Sequence, residues 1–217
     1  MSTHIQKVGV CGAGGTMGAG IAIVASRAGF ETACFDTSME ILDRARGQTE
    51  GFFGKSVDRG KMAATDRDAA LARLSASTDM GALADCDLVI EAVFEDLGVK
   101  RELFRALDAV CKPEALFASN TSTLSITEIA AGCDRQDRVV GMHFCLPAQL
   151  MKLIEMSPGV NTSDEAFAGA LSMEPSPGAA TVAPFARTRL KRPAGADASA
   201  WAAREAELVA WFEGGGE

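Results

Sequence analysis

Apolar residues fall into short runs separated by longer stretches of helical spacing. Lys7-Val8-Gly9-Val10-Cys11 is apolar after its first residue, the mark of a strand covered on both faces. Residues 18–27 follow as a helix of small and apolar side chains, and 32–35 as a second strand ending at Asp36. Residues 38–59 are polar and helical, with Ile41, Leu42, Phe52 and Phe53 as apolar contacts. Further strands are predicted at 88–93, 116–118, 139–143 and 150–156, with helices at 97–110 and 125–131. Strand–helix alternation of this kind implies an α/β fold, a mostly parallel sheet wound on both faces. Ser125 and Glu128 have the spacing of a capping box for the helix they begin.

The pattern changes near Leu171. Residues 173–192 are rich in Pro, Gly, Ala and Arg, with Pro175, Pro177 and Pro184 breaking any regular element, and read as a linker. Residues 197–212 read as a short C-terminal helix, with Trp201, Leu208, Val209 and Phe212 on one stripe and Gly214 closing it. The division is therefore an α/β domain over 1–171 and an atypical Pro/Ala-rich tail over 172–217.

Composition narrows the partners. A net charge of −8 argues against nucleic acid, whose phosphates are met by Lys and Arg. It leaves a nucleotide cofactor open, because backbone N–H groups hold phosphates without basic side chains. No apolar run reaches membrane-spanning length, and the first strand begins too early for a leader, so no membrane partner is expected. The six cysteines form no C-x-x-C pair and no metal-ligand spacing. Reduced thiols in a cytoplasmic protein without metal are expected.

The first strand runs into Gly12-Ala13-Gly14-Gly15-Thr16-Met17-Gly18, a glycine turn that opens a helix. Such a turn brings backbone N–H groups and a helix N-terminus to a diphosphate. Its glycines miss the usual G-x-G-x-x-G register: counted from Gly12 the third glycine falls on Met17, and counted back from Gly18 the first falls on Ala13. The turn is one residue too long. Asp36 ends the second strand eighteen positions after Gly18, where a carboxylate meets an adenosine ribose. Thr37 and Ser38 follow with no Arg for a 2′-phosphate, which favours NAD over NADP. The fold class is thus Rossmann-type.

From Gly14-Gly15-Thr16-Met17-Gly18-Ala19-Gly20 onward the chain resembles the L-3-hydroxyacyl-CoA dehydrogenase family. The likeness continues through Asp87-Leu88-Val89-Ile90-Glu91-Ala92-Val93-Phe94-Glu95-Asp96-Leu97 and Ala118-Ser119-Asn120-Thr121-Ser122-Thr123, then Gly141-Met142-His143-Phe144 and Leu150-Met151-Lys152-Leu153-Ile154-Glu155. It covers about residues 5–171. The resemblance implies an NAD-dependent exchange of hydride with carbon 3 of an acyl-CoA thioester. It implies His143 and Glu155 as the catalytic pair, with Ser122 touching substrate. Cofactor contacts fall on Gly12, Gly14, Gly15, Thr16, Met17, Gly18, Asp36, Glu95, Lys100, Asn120 and Ser122. Read alone, His143 closes a strand where ligands of such sheets lie, and imidazole is a base suited to neutral pH. Glu155, within the apolar run 153–156, needs a partner, and a turn at Pro147 would return it to His143. Lys55, Arg59 and Lys61 are either a solvated helix face or, as the family implies, a site for CoA phosphates, with Lys55 and Arg59 as the substrate contacts.

Two departures stand out. The family's His-Phe-Phe-Asn-Pro is His143-Phe144-Cys145-Leu146-Pro147 here, so an amide gives way to Leu146. After Leu171 the family continues into a helical domain that supplies a catalytic Asn, closes the cleft and forms the dimer. The tail is expected to stand in its place, so that cofactor binding outlives turnover. The alternatives are a non-catalytic NAD-binding module and a dehydrogenase of a non-CoA hydroxy acid.

Overall fold

The computed structural model describes residues 5–151, 153–171 and 188–190. Its centre is a single sheet of eight strands in the order β3-β2-β1-β4-β5-β6-β7-β8. The strands are β1 (Lys7–Cys11), β2 (Glu31–Phe35), β3 (Leu74–Ser77), β4 (Leu88–Glu91), β5 (Leu116–Ser119), β6 (Val139–Phe144), β7 (Ile154–Pro158) and β8 (Thr188–Leu190). All neighbours pair in parallel except β6 and β7. The helices are α1 (Thr16–Arg27), α2 (Met39–Asp58), α3 (Ala64–Ala72), α4 (Leu97–Val110), α5 (Ile126–Ala130) and α6 (Asp164–Leu171). The order reverses between β1 and β4, which opens a crevice at the carboxyl ends of those strands.

Side chains alternate across the sheet, and the two faces build separate cores. Val8, Val10, Leu88, Ile90, Leu116, Ala118, Val140 and Met142 join Ile21, Ala25 and Phe167 on one face. Val89, Phe117 and Val139 join Phe104, Leu107 and Ile129 on the other. Phe104 and Phe117 meet edge-on at 5.7 Å and are fully buried, each worth about 1.5–3 kcal/mol of apolar burial. Helix α4 is capped by Asp96, whose carboxylate accepts the Val99 N–H at 2.9 Å. Its buried stripe reads Lys100, Phe104, Leu107, so a cation occupies a core position.

Most of the expected elements are present, with several differences. The strand read over 88–93 stops at Glu91, because the Val93 N–H turns to the Glu91 side chain at 2.7 Å. The last of the predicted strands lies later, over Ile154–Pro158, since Pro147 to Met151 forms a turn. Strand β3 and helices α3 and α6 carry no strong pattern; β3 is a weakly apolar edge strand that exists through its pairing with β2. Thr188–Leu190 forms β8 inside the stretch read as linker: it contains neither Pro nor Gly and adds to the open edge of β7. The helix expected over 197–212 lies outside the described residues.

Candidate active site

The glycine turn is built around the extra residue. Gly12 has φ +77°, a left-handed conformation, and a Cβ there would stand 2.7 Å from the Ala92 carbonyl oxygen. A Cβ on Gly18 would come within 2.1 Å of the Gly12 carbonyl oxygen, and one on Gly14 within 2.1 Å of Ile41 Cγ2. Gly12, Gly14 and Gly18 therefore keep the three glycine roles over a span lengthened by one. The added residue is absorbed at Gly15, an exposed position where a Cβ would meet only the Gly12 carbonyl oxygen at 3.3 Å. Gly15 caps α1 without a side-chain bond, and the first turn at Thr16, Met17 and Gly18 holds no acidic residue. The backbone N–H groups at this end have no intrahelical acceptor and favour an anion. This close-walled, uncapped turn fits the diphosphate of NAD.

Asp36 leans over the turn from the end of β2. Its Oδ2 accepts the Gly14 N–H at 2.9 Å and its Oδ1 the Thr37 N–H at 2.7 Å. The carboxylate is thereby aimed at the crevice, with capacity left for ribose hydroxyls.

A buried charge network follows β4. Lys100 Nζ lies 2.6 Å from Glu91 Oε1, with the side chains 1% and 0% exposed. Glu91 Oε2 also accepts the Ser119 hydroxyl at 2.6 Å. On its outer side Lys100 reaches Glu95 Oε2 at 3.2 Å. Glu95 Oε1 gathers the next loop, accepting the Thr121 hydroxyl at 2.5 Å and the Ser122 N–H at 3.1 Å. Burial alone would raise the Glu95 carboxyl; the Thr121 hydrogen bond and the Lys100 ammonium outweigh it and hold it below its ordinary 4.5. Sequence reading gave Glu91 no role. The signal was present, because Glu91 ends an apolar strand and a buried carboxylate demands a cation.

His143 and Glu155 are register partners across β6 and β7. Nδ1 of His143 stands 2.9 Å from Glu155 Oε2, with the side chains 25% and 14% exposed. A carboxylate only accepts, so the proton of the neutral ring sits on Nδ1 and Nε2 is the free base. Beyond β6, Ala148 is buried and packs with Gln149 against Gly20 of α1, while Leu146, Leu150 and Met151 point outward.

The structure thus gathers most of the expected residues on the carboxyl edge: the glycine turn after β1, Asp36 after β2, Glu95 after β4, Asn120 and Ser122 after β5, and His143 on β6. Ser122 is exposed on its loop, whereas Lys100 is enclosed behind Glu95. Lys55, Arg59 and Lys61 are exposed at the end of α2 and just past it.

Residues 7–183 match the family model described as 3-hydroxyacyl-CoA dehydrogenase, NAD binding domain. The chain belongs to the 3-hydroxyacyl-CoA dehydrogenase family. The match runs past Leu171, where the likeness was expected to end. A probable 3-hydroxybutyryl-CoA dehydrogenase of Deinococcus radiodurans is 44% identical over 161 residues, 74% of this chain and 57% of that protein. The 3-hydroxyadipyl-CoA dehydrogenase of Escherichia coli K12 is 46% identical over 76% of this chain and 34% of its own length. Among solved structures, FadB2 of Mycobacterium tuberculosis superimposes with a TM-score of 0.80 at 34% identity, over 97% of this chain and 73% of that one. The chain spans little more than half the length of relatives such as the Deinococcus protein. Among the described residues no helix is long and apolar enough to cross a membrane.

Proposed function

We propose that this chain is the NAD-binding, acid–base portion of an oxidoreductase that interconverts an L-3-hydroxyacyl-CoA and a 3-oxoacyl-CoA. The observation that carries the reading is the His143–Glu155 pair, 2.9 Å apart, on the sheet edge that also bears the glycine turn. Bound NAD supplies the acceptor for the hydride that leaves carbon 3. Nε2 of His143 takes the proton of the 3-hydroxyl as the carbonyl forms, and returns it to the oxo oxygen in the reverse direction. Glu155 holds the ring in the Nδ1–H tautomer and stabilises the imidazolium.

The remaining roles follow from position. Gly12, Gly14, Gly15, Thr16, Met17 and Gly18 cradle the diphosphate, and Asp36 accepts from the adenosine ribose. Glu95 and Ser122 border the nicotinamide side, with Lys100 steadying Glu95 from behind. Ser122 also donates to the substrate oxygen. Lys55 and Arg59 meet the CoA phosphates. A reduced, cytoplasmic setting accords with the six free cysteines.

The test is paired: NADH affinity by fluorescence titration, and acetoacetyl-CoA reduction by NADH absorbance. NADH is expected to bind, and His143→Gln to stop turnover without changing that affinity. Absence of NADH binding, or full turnover in His143→Gln, overturns the reading. A unit that binds NADH without reducing acetoacetyl-CoA would point instead to a non-catalytic NAD-binding module. A non-CoA substrate would leave its affinity unchanged in Lys55→Glu/Arg59→Glu.

A further inference from the structure

Strand β6 overhangs its parallel neighbour. β5 and β6 pair through Phe117↔Val139, Ala118↔Val140 and Ser119↔Gly141, and there the ladder ends. On the other edge β7 continues to pair through His143↔Glu155 and Phe144↔Ile154. The overhang, Met142 to Phe144, is the part of β6 that carries the base.

One side chain bridges the gap. Asn120 Oδ1 accepts the Phe144 N–H at 2.8 Å. A backbone N–H can only donate, so the carbonyl end of the amide must face it. Asn120 is itself fixed, since its own N–H donates to the Glu91 carbonyl at 2.8 Å. The residues after it, Thr121 to Thr123, are gathered by Glu95. Asn120 is therefore the joint between the loop that presents Ser122 and the strand end that presents His143.

We propose that Asn120 is a positioning residue whose side-chain carbonyl stands in for the missing rung, sets the end of β6, and so holds His143 against Glu155. The role of His143 itself rests on the dehydrogenase reading. The carbonyl end of the amide carries the positioning role.

The chain has two histidines, so a His4→Gln background leaves one imidazole to observe. Its ¹⁵N shifts, at a pH where the ring is neutral, report the Nδ1–H tautomer. Amide exchange at Phe144 reports the bond. Asn120→Ala removes the acceptor; Asn120→Asp keeps it and removes the donor. Asn120→Ala is expected to speed Phe144 exchange about five- to tenfold, the worth of one hydrogen bond, and to mix the His143 tautomers. Asn120→Asp is expected to keep Phe144 protected and the Nδ1–H form intact.

An unchanged tautomer in Asn120→Ala overturns the proposal. So does a mixed tautomer in Asn120→Asp, which decides the matter even if the alanine variant fails to fold. An NADH loss of about tenfold or more in Asn120→Ala, with His143 undisturbed, assigns the residue to the cofactor instead. A native chain that binds no NADH overturns the dehydrogenase reading, while the tautomer comparison still decides Asn120.

Discussion

Replacing Lys100 with methionine removes the cation from a pair that neither partner shares with solvent. Glu91 is 0% exposed and Lys100 1%, so water cannot take the ammonium's place. Glu91 would keep the Ser119 hydroxyl and the Val93 N–H, which is two hydrogen bonds without a counter-charge. Breaking such a pair from one side costs about 3–5 kcal/mol. The lower end applies here, because methionine fills the space of the lysine stem and Glu95, 40% exposed, regains water. Against a typical domain stability of about 5–15 kcal/mol that is a large fraction. With a urea slope of about 2 kcal/mol/M, the midpoint should fall by about 1.5 M. The double variant Glu91→Gln/Lys100→Met removes both charges and leaves an amide oxygen for Ser119 or Val93. It should recover to within about 1 kcal/mol of the native chain. Equilibrium urea unfolding by circular dichroism at neutral pH compares the three proteins. A loss below about 1 kcal/mol in Lys100→Met, or a double variant no more stable than the single one, would refute the reasoning.

The lengthened turn makes opposite demands on two glycines: Gly15→Ala should shift stability by under about 1 kcal/mol, since Gly15 has φ −77° and its Cβ would meet one atom, the Gly12 carbonyl oxygen at 3.3 Å, whereas Gly18→Ala should weaken NADH binding at least about tenfold by forcing α1 off Gly12. Fluorescence titration of both variants checks this, and equal losses would mean the extra residue lies elsewhere. Thiol labelling with a disulfide reagent at pH 8 should find one fast site, Cys145. Burial pushes Cys34 and Cys86 up to about 12 and Cys111 and Cys133 to about 11, and Cys11 higher than its ordinary range. Mass spectrometry after brief labelling would read the site directly. The lowered Glu95 carboxyl contributes stability that is fully present above its ordinary 4.5 and is lost as the pH falls through its lower folded value. Thermal unfolding from pH 6 to pH 3 should therefore show a shallower acid decline in Glu95→Gln than in the native chain.

The sequence by itself determined what depends on near neighbours. The run into Gly12, the small-residue helix after it and the carboxylate at Asp36 are legible because strand, turn and helix each leave a local signature of period and residue type. The Ser125 cap is of the same kind, its hydroxyl accepting the Glu128 N–H three residues on. Even the surplus residue in the turn shows in the spacing, but which glycine absorbs it depended on the close approach of Gly18 to the Gly12 carbonyl.

Tertiary structure decided the rest. Strand β3, half exposed and weakly apolar, is drawn into the sheet by the edge of β2 rather than by its own composition. Glu91 finds Lys100 because α4 returns its inward stripe to the end of β4. Asn120 reaches Phe144, and Glu155 faces His143, because register across β5, β6 and β7 places them there. Those pairings join residues up to dozens of positions apart. A sequence can show that a buried carboxylate needs a partner, but only the folded sheet brings one particular partner within hydrogen-bonding distance.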